Sequence, residues 1–376
     1  MDIAIGSFNV IMPGHWNLHH LWAACLAGQD LMPKPTNEAA FGAMAAGVMY
    51  QTLNFGPGID PRRCGLILAS TKGNIALNEA WLDQTIRGAA QLDQAPPDLH
   101  TDALGLANGR GLGGPVYAVS TACTSGLTAL IDAALLLNFP AGVTPTDGST
   151  GDKDGGQNSP TAMMVVAADA AGGFVCDGFR ALKALAPEPC RPFDKQRRGL
   201  TLGSAAAGCL LTKGKRPGSL RLCGFGISND ATHMTAPDRA ARGLTRAIDQ
   251  ALRMADLSPD AIDAIAAHGT GTQYNDAMEA TAFAKMFSHS PAITATKPIT
   301  GHTLGAAALV ETALIYMMLR KQTLPPIAGL KKPEFALNFV MRSPRPMPLH
   351  YILKTSSGFG GFNAAAIFAL WPEGKS

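Results

Sequence analysis

The stretch Val-Ser-Thr-Ala-Cys-Thr-Ser-Gly-Leu-Thr-Ala-Leu (119–130) places one cysteine, Cys123, between two kinds of predicted structure. Residues 114–120 are short, apolar and β-branched, as in a buried strand, whereas residues 125–138 form a largely apolar helical pattern. Cys123 is therefore predicted to lie at a sharp strand-to-helix turn. Unpaired N–H groups at a helix N-terminus favour a thiolate, so we expect a lowered thiol pKa and a nucleophilic sulfur. From this stretch alone, the alternative is an ordinary buried cysteine.

Length and composition indicate a globular α/β protein. The chain has 376 residues, of which 47% are hydrophobic and 6% aromatic, and it contains 41 glycines. Such a chain suits either two domains or one large duplicated fold with close helix–sheet packing. The net charge of +3 is small and evenly spread, and no Arg-rich run is interleaved with aromatics, which argues against a nucleic-acid partner.

The cysteines and the apolar runs indicate a cytoplasmic protein. Seven cysteines form no Cys-x-x-Cys pair and leave one over, which favours reduced thiols over a disulfide framework. The first residues lack the cationic segment and apolar core of a signal peptide, and no apolar run reaches the length of a membrane span. We expect no metal and no cofactor, because no paired ligand motif is present.

The order of predicted elements alternates between strand and helix in both halves of the chain. Predicted strands cover 2–12, 63–70, 114–120, 162–168, 204–212, 219–227, 261–267, 292–296, 349–355 and 364–370, and predicted helices cover 16–28, 75–90, 125–138, 238–256, 276–287 and 303–320. A hairpin is predicted for residues 204–212 and 219–227. The polar segment of residues 91–113 is predicted to cross the surface, and residues 140–160 are predicted to form a mobile loop. The repeated order predicts a duplicated α/β fold with halves 1–215 and 216–376.

Two further stretches carry chemically useful side chains at strand ends. In Ala-Ala-His-Gly-Thr-Gly-Thr-Gln-Tyr-Asn-Asp (266–276), a strand runs into His268 and a glycine-rich turn. In the stretch 296–311, Lys297 and His302 precede an almost wholly apolar helix in which Glu311 is the only acid. A charge in a buried helix needs a partner. A cysteine, two histidines, a lysine and an acid at strand ends together favour a catalytic site.

Six motifs in the same order resemble those of the β-ketoacyl synthases, the thiolase-fold condensing enzymes of fatty acid and polyketide synthesis. The resemblance spans most of the chain. The matching motifs are Thr-Ala-Cys-Thr-Ser (121–125), Arg-Pro-Phe-Asp (191–194), Asn-Asp-Ala-Thr-His-Met-Thr-Ala-Pro (229–237), His-Gly-Thr-Gly-Thr-x-x-Asn-Asp (268–276), Lys-x-x-x-Gly-His-Thr-x-Gly-Ala-Ala (297–307) and Ser-Gly-Phe-Gly-Gly-Phe-Asn (357–363). The resemblance implies a thiolase-like fold layered αβαβα.

The resemblance also implies a reaction with assigned residues. Cys123 would take an acyl group from an acyl carrier protein, and the N–H of Phe359 would be the second oxyanion donor, with its ring as a gate. His268 and His302 would stabilise the enolate formed by malonyl decarboxylation, and His302 would matter more for that step than for acyl transfer. Lys297 and Glu311 would fix charge and orientation around His302, and Asp276 would support the His268 loop. Aryl polyene synthesis is a further possible setting.

Departures from the family pattern leave alternatives open. Gly-Ser-Ala-Ala (203–206) stands where an acidic Gly-Glu-Gly-Ala or Gly-Asp-Gly-Ala is usual, and Arg198 replaces a common acid. One alternative is therefore a chain-length-determining partner of a synthase heterodimer, and another is a scaffold protein that only keeps the fold. The intact Cys123, His268 and His302 favour an enzyme.

The expected partners are acyl carrier proteins bearing acyl and malonyl groups and a second subunit. In this family the strand before the nucleophile usually pairs across a two-fold axis, so residues 115–120 are expected near a subunit interface. The sequence predicts either a homodimer or a heterodimer with a related ketosynthase-like subunit.

Overall fold

The computed structural model describes residues 2–14, 17–28, 40–52, 59–89, 91, 95–138 and 159–373. Within them the strands are β1 Ile3–Ile11, β2 Cys64–Ala69, β3 Val116–Val119, β4 Ala162–Asp169, β5 Ala205–Lys213, β6 Leu220–Asn229, β7 Ala264–Ala266, β8 Ala292–Thr294, β9 Thr323–Leu324, β10 Arg345–Pro346, β11 Ile352–Gly358 and β12 Phe362–Leu370. The helices are α1 Leu18–Ala27, α2 Ala40–Thr52, α3 Ile75–Ile86, α4 Leu99–Asn108, α5 Ser125–Asn138, α6 Gly173–Ala181, α7 Arg242–Ala255, α8 Gln273–Met286, α9 Lys297–Thr300 and α10 Ala307–Lys321. Most predicted segments are confirmed, but residues 140–158 of the predicted loop lie outside the described residues.

The main sheet repeats one strand order twice. Ten strands hydrogen-bond in the order β3-β2-β4-β5-β1-β6-β12-β11-β7-β8. From either edge inward, the first two pairs of neighbouring strands are parallel and the next two pairs are antiparallel. Strands β1 and β6 join the two sets through the antiparallel pair Ala4↔Arg221. The boundary between 1–215 and 216–376 falls in the turn between β5 and β6; it stays a prediction, and the repeated strand order supports it.

Helices cover and separate the two sets of strands. Helices α5 and α10 contact each other, and between them they also contact strands of both sets, so they form a central layer. Helices α2 and α4 pack on the strands of the first set, and α7 and α8 lie together beyond the second set, with α7 packed on β6 and β12. The predicted layered α/β fold is therefore confirmed.

Strand β4 shows why its sequence reads as a continuous apolar run. All eight of its residues are buried. Met163 and Val165 point into the central core with α5 and α10, whereas Met164 and Val166 point into the outer core with α2 and α4. Because successive side chains of a strand point to opposite faces, a strand covered on both faces needs apolar residues at every position.

The predicted hairpin of residues 204–212 and 219–227 is wrong. Strand β1 lies between β5 and β6 and pairs with both. The short turn suggested direct pairing, but the insertion of a distant strand is a non-local event that turn chemistry does not report. The sequence also gave no indication of α2, of α4 within 91–113, or of α6. No helix in the described residues is long and apolar enough to cross a membrane.

Candidate active site

The Cys123 turn follows strand β3 and precedes helix α5. The N–H of Thr121 donates to Ser125 Oγ at 2.9 Å, and that hydroxyl donates to the carbonyl of Ala122 at 2.6 Å. Ala122 has φ +52°, in the left-handed region that few non-glycine residues adopt. This strained residue turns the chain sharply and sets Cys123 just before the first turn of α5, as the sequence predicts.

The Cys123 thiol is buried, with only 7% of the residue exposed. Burial raises the pKa of Cys123 to about 12, and the opposing charge of Lys297 only partly offsets this. The charge of Asp169 raises the pKa further, whereas Lys72 and the N–H of Phe359 lower it. The expectation of a lowered thiol pKa is therefore wrong, because loss of water outweighs the favourable charges around the sulfur.

His302 lies against the sulfur. Its Nε2 is 3.1 Å from Cys123 Sγ, and its ring is nearly perpendicular to that of His268, with centroids 5.2 Å apart. Burial, followed by the charge of Lys297, holds the pKa of both histidines well below the usual range. At neutral pH the site thus contains a neutral thiol and two neutral imidazoles, and the thiol proton can pass to Nε2 of His302.

Lys297 is fixed to His268 and not to His302. Its Nζ donates to the carbonyl of His268 and lies 3.3 Å from Nδ1 of the same residue. An ammonium donor at Nδ1 leaves the imidazole proton on Nε2, so His268 can present an N–H to the cavity. Of the predicted role of Lys297 and Glu311 in fixing charge and orientation around His302, the charge of Lys297 does lower the pKa of His302, but the orienting contacts run to His268.

Glu311 holds two buried lysines. Its Oε1 accepts from Lys297 at 2.7 Å and its Oε2 lies 2.8 Å from Nζ of Lys354. Both lysines are fully buried. Lys354 was not among the predicted site residues; the available signal was a lysine inside the predicted strand 349–355. The ion pairs satisfy the predicted need of Glu311 for a partner.

The backbone around His268 is held by a second missed residue, Glu279. Its carboxylate accepts from the N–H of His268 at 2.8 Å and of Gly269 at 2.7 Å, and also from Thr355 Oγ1 at 2.8 Å. Glu279 follows Asp276 by three residues, so both carboxylates lie on the same face of α8. That spacing was the available signal.

Asp276 fixes the other end of the same loop. Its carboxylate accepts from the N–H of Gly271 at 3.2 Å and of Phe193 at 2.8 Å. Burial raises the pKa of Asp276 to about 7, and the neighbouring charge of Glu279 adds to this increase. The structure thus places Asp276 against the His268 loop and the Arg-Pro-Phe-Asp segment.

Phe359 lies over the nucleophile in the turn between β11 and β12. Its backbone N–H is among the groups that lower the pKa of Cys123. Its ring stacks on Phe179, with centroids 5.5 Å apart. Phe179 belongs to α6, a helix that the sequence analysis missed. A side chain on Gly358 would bring a Cβ to 3.0 Å from the N–H of Cys123, so glycine allows this close approach.

Cys123, the two histidines and Phe359 share one cavity of about 530 Å³. Cys123, His268 and His302 line its inner end together with Phe359. Apolar side chains line its walls, namely Phe179, Leu182, Leu200, Phe362 and Pro237. Lys183 and Arg198 also line it, and both are exposed to solvent. The arrangement can hold an acyl chain and bring an anionic group to its mouth.

The unusual segment 203–206 lies beside His302. The N–H of Gly203 donates to the carbonyl of His302 at 3.1 Å, and a Cβ on Gly203 would lie 2.3 Å from the carbonyl of Thr300. Ser204 Oγ accepts from the N–H of Ala171 at 2.9 Å. The serine therefore ties the start of β5 to the segment before α6 without any acid.

Residues 220–331 match the family model described as "Beta-ketoacyl synthase, C-terminal domain". Among curated proteins, the chain is 31% identical over 339 residues to "Putative polyketide beta-ketoacyl synthase 1" of Streptomyces halstedii, covering 82% of this chain and 75% of that protein. It is 35% identical over 273 residues to "3-oxoacyl-[acyl-carrier-protein] synthase 2" of Coxiella burnetii, covering 69% of this chain and 62% of that protein.

The match to the synthase 2 relatives is partial. It spans 62% of the Coxiella burnetii protein and 46% of the Mycobacterium leprae protein. The latter is also described as "3-oxoacyl-[acyl-carrier-protein] synthase 2" and is 39% identical over 191 residues, which cover 48% of this chain.

Solved structures share the fold along nearly the whole chain. A ketosynthase in complex with its chain length factor from Xenorhabdus doucetiae has a TM-score of 0.81 at 25% identity, with 98% of both chains covered. A beta-ketoacyl synthase from Burkholderia phymatum has a TM-score of 0.83 at 23% identity, covering 98% of this chain and 99% of that one.

Proposed function

Because the chain belongs to the β-ketoacyl synthase family, we propose that it catalyses the decarboxylative Claisen condensation of a malonyl thioester with an acyl group held on Cys123. The observation that carries this proposal is one cavity whose inner end holds a thiol at 3.1 Å from a neutral imidazole, with a second neutral imidazole beside it. Both substrates would be carried by acyl carrier proteins.

Acyl transfer is the first step. The thiol of Cys123 passes its proton to Nε2 of His302 as the sulfur attacks the acyl thioester carbonyl. The backbone N–H groups of Cys123 and Phe359 donate to the oxyanion of the tetrahedral intermediate. The carrier thiolate leaves with the proton from His302, and the acyl group remains as a thioester on Cys123.

Decarboxylation and condensation follow. The carbon–carbon bond of the malonyl group breaks, carbon dioxide leaves, and the electron pair becomes an enolate whose oxygen accepts from Nε2–H of His268. His302 adds a second donor to this oxygen once its ring proton has moved from Nδ1 to Nε2, the tautomer opposite to the one that accepts the thiol proton. The enolate carbon then attacks the acyl carbonyl on Cys123, and the carbon–sulfur bond breaks. The product is a β-ketoacyl group on the carrier, and the released thiolate of Cys123 takes a proton from solvent.

The cavity mouth supports an acidic carrier as the partner. Lys183 and Arg198 are exposed there, and neither has an ion-pair partner within the described residues. Unpaired cations at the entrance attract a negatively charged carrier surface and speed its association.

The open edge of the sheet supports a dimer. Among the described residues strand β3 pairs only with β2, and no side chain of helix α3 is buried. Leu82 and Ile86 of α3 are 51% and 76% exposed. An unpaired edge strand and a helix with exposed apolar side chains both fit a second subunit, either an identical copy or a related ketosynthase-like chain. All seven cysteines are free thiols, which supports a location in the reducing cytoplasm.

The second candidate function is the chain-length-determining subunit of a heterodimer. The observation that favours it is Ser204, which replaces the acid usual in the family and lies one residue from the glycine that contacts His302. In this case Cys123 would stay unacylated, while a coexpressed sister subunit carries the acyl group.

Intact-mass analysis after incubation with a panel of acyl carrier proteins tests the proposal. The chain should gain one acyl group, and Cys123→Ala should gain none while remaining folded, because a small residue fits the turn. Cys209→Ala, which removes a buried thiol from β5 outside the cavity, is the matched control and should still gain the group. Condensation by Cys123→Ala would refute the proposal. Acylation of a coexpressed sister subunit alone would support the heterodimer role.

A further inference from the structure

Asp169, at the end of β4, is a fully buried carboxylate that none of the family motifs includes. It accepts five hydrogen bonds. The donors are Ser70 Oγ at 2.9 Å, the N–H of Thr71 at 2.9 Å, Thr71 Oγ1 at 3.0 Å, Lys72 Nζ at 2.9 Å and the N–H of Gly305 at 2.8 Å. So many donors to one carboxylate make it a rigid junction between the segment after β2 and the segment after His302.

The junction acts directly on the His302 loop. Gly305 follows His302 by three residues, and a Cβ on Gly305 would lie 2.7 Å from Asp169 Oδ2. Glycine is therefore needed for the carboxylate to reach this backbone N–H.

The same junction contacts both sides of the nucleophile turn. Before Cys123, Ser120 Oγ donates to the carbonyl of Thr71 at 3.1 Å. After it, Gly126 packs on the carbonyl of Gly305, where a Cβ on Gly126 would lie at only 2.8 Å. Loss of the Asp169 contacts would free the His302 loop to move relative to Cys123.

The charges of the junction are balanced. Lys72 is 13% exposed at its side chain and forms an ion pair with Asp169, which avoids the cost of an unpaired buried carboxylate. The two charges act on the pKa of Cys123 in opposite directions. The other ionisable groups that act on or contact the sulfur are Lys297 of α9 and His302.

We infer that Asp169 and Lys72 form a charge-balanced positioning pair for the reaction of Cys123. Asp169 holds the His302 loop at hydrogen-bonding distance from the sulfur, and Lys72 cancels the field of that carboxylate at the thiol. Neither residue lines the cavity, so neither is a catalytic residue. The inference rests on the proposed function only for acyl transfer, because the reactivity of the thiol can be measured without any carrier.

The test compares Asp169→Asn and Lys72→Met in the full chain. The rate of alkylation of Cys123 by iodoacetamide at pH 8 is measured by peptide mass spectrometry. Well below the thiol pKa this rate follows the thiolate fraction, so a pKa shift of about one unit changes it about tenfold. Alkylation should rise about tenfold in Asp169→Asn and fall about tenfold in Lys72→Met, because each variant leaves the opposite charge uncompensated.

Acyl transfer from an acyl carrier protein provides the second readout. Despite its more reactive thiol, Asp169→Asn should transfer the acyl group at least tenfold more slowly, because misplacement of His302 is costly. Asp194→Asn is the matched control, since Asp194 is a buried carboxylate that accepts from the N–H groups of Gln196, Lys331 and Lys332. It should lower the melting temperature yet leave Cys123 alkylation within twofold of the wild type.

Several outcomes would overturn the inference. These are alkylation changes in the same direction in both variants, alkylation within twofold of the wild type in both, or undiminished acyl transfer by Asp169→Asn. If Asp169→Asn does not fold, Lys72→Met decides alone, and an unchanged or faster alkylation rate refutes the pair. If the wild type accepts no acyl group, the proposed function fails, but the alkylation comparison still decides the charge balance.

Discussion

Cys123 and His302 meet as a neutral thiol and a neutral imidazole, and this sets how the nucleophile works. A resting thiolate–imidazolium pair would carry two charges in a site from which water is excluded, and desolvation disfavours both. The pKa values point the same way, raised for Cys123 and lowered for His302. We therefore expect proton transfer to accompany attack on the thioester, so that reactivity depends on the 3.1 Å contact between sulfur and Nε2.

Alanine variants of the two histidines should separate the two half-reactions. The sequence predicts that His302 matters mainly for decarboxylation, but its contact with the sulfur makes it necessary for acyl transfer as well. His268→Ala should slow malonyl decarboxylation by about 100-fold or more while acyl transfer changes little, and His302→Ala should slow both. Rates of carbon dioxide release and of acyl-enzyme formation check this. Equal losses in His268→Ala would contradict it.

The buried histidines should also make the fold sensitive to acid. Because the folded-state pKa of His302 is lowered, only the unfolded chain binds its proton below pH 6.5, so stability falls as pH decreases from there. Each such histidine lowers the free energy of unfolding by about 1.4 kcal/mol for every pH unit below that point. Urea denaturation gives the free energy of unfolding at each pH. Between pH 6.5 and 5 this free energy should fall less steeply with decreasing pH in His302→Gln than in the wild type, by about this amount per pH unit. A pH dependence in His302→Gln equal to that of the wild type would refute the prediction.

Residues in contiguous motifs could be predicted from sequence, and their distant partners could not. Cys123, His268 and His302 each stand at a recognisable strand end. Lys354 reaches Glu311 only through the packing of β11 against the central helices, a contact that no local pattern encodes. The expectation of a lowered pKa for the Cys123 thiol was wrong for a related reason. A helix start is visible in sequence, but the exclusion of water from it depends on the complete fold.

At the scale of elements, prediction succeeded where the apolar residues of a segment follow one clear pattern. Buried strands such as β4 read as continuous apolar runs and were found. Helix α4 was missed because only Ala103 and Ala107 of its residues are buried, so its sequence reads as surface. The pairing of β1 between β5 and β6 depends on the whole sheet, and the hairpin interpretation failed there.

Two helix glycines should respond oppositely to alanine. Gly126 lies in the first turn of α5, where a Cβ would meet the carbonyl of Gly305 at 2.8 Å. A Cβ on Gly178 of α6 would meet no atom of another element within 4 Å. Gly126→Ala should destabilise the protein by about 1–3 kcal/mol through overpacking. Gly178→Ala should stabilise it by about 0.5–1 kcal/mol, because alanine favours the helix. Thermal and urea unfolding of both variants would measure this, and a stable Gly126→Ala would show that the helices separate easily.

At the scale of the whole molecule, the repeated strand order gives two similar halves whose edges differ. Both β3 and β8 are edge strands of the sheet. Strand β8 is fully buried, while β3 is only partly buried. The asymmetry leaves one edge available for a partner, which agrees with the sequence-based expectation for residues 115–120.

Light scattering at micromolar concentration should therefore report a dimer. The partly buried β3 edge and the exposed apolar residues of α3 would otherwise promote aggregation. Leu82→Lys together with Ile86→Lys should shift the species toward monomer, and Met254→Lys, at a position of α7 that is 42% exposed, serves as the control. A well-behaved, active wild-type monomer would refute the prediction. Insolubility relieved by a coexpressed sister subunit would favour the heterodimer.

The central position of β1 has a consequence for how the chain folds during synthesis. Val10 pairs with Ala207, so the strand leaves the ribosome roughly 10–40 s before its partner at ordinary translation rates. During that interval the apolar strand has neither of its neighbours and depends on chaperones or on transient local contacts. Limited proteolysis of stalled nascent chains should cut near β1 until β5 and β6 have emerged. Protection of β1 in shorter chains would show that another segment holds its place.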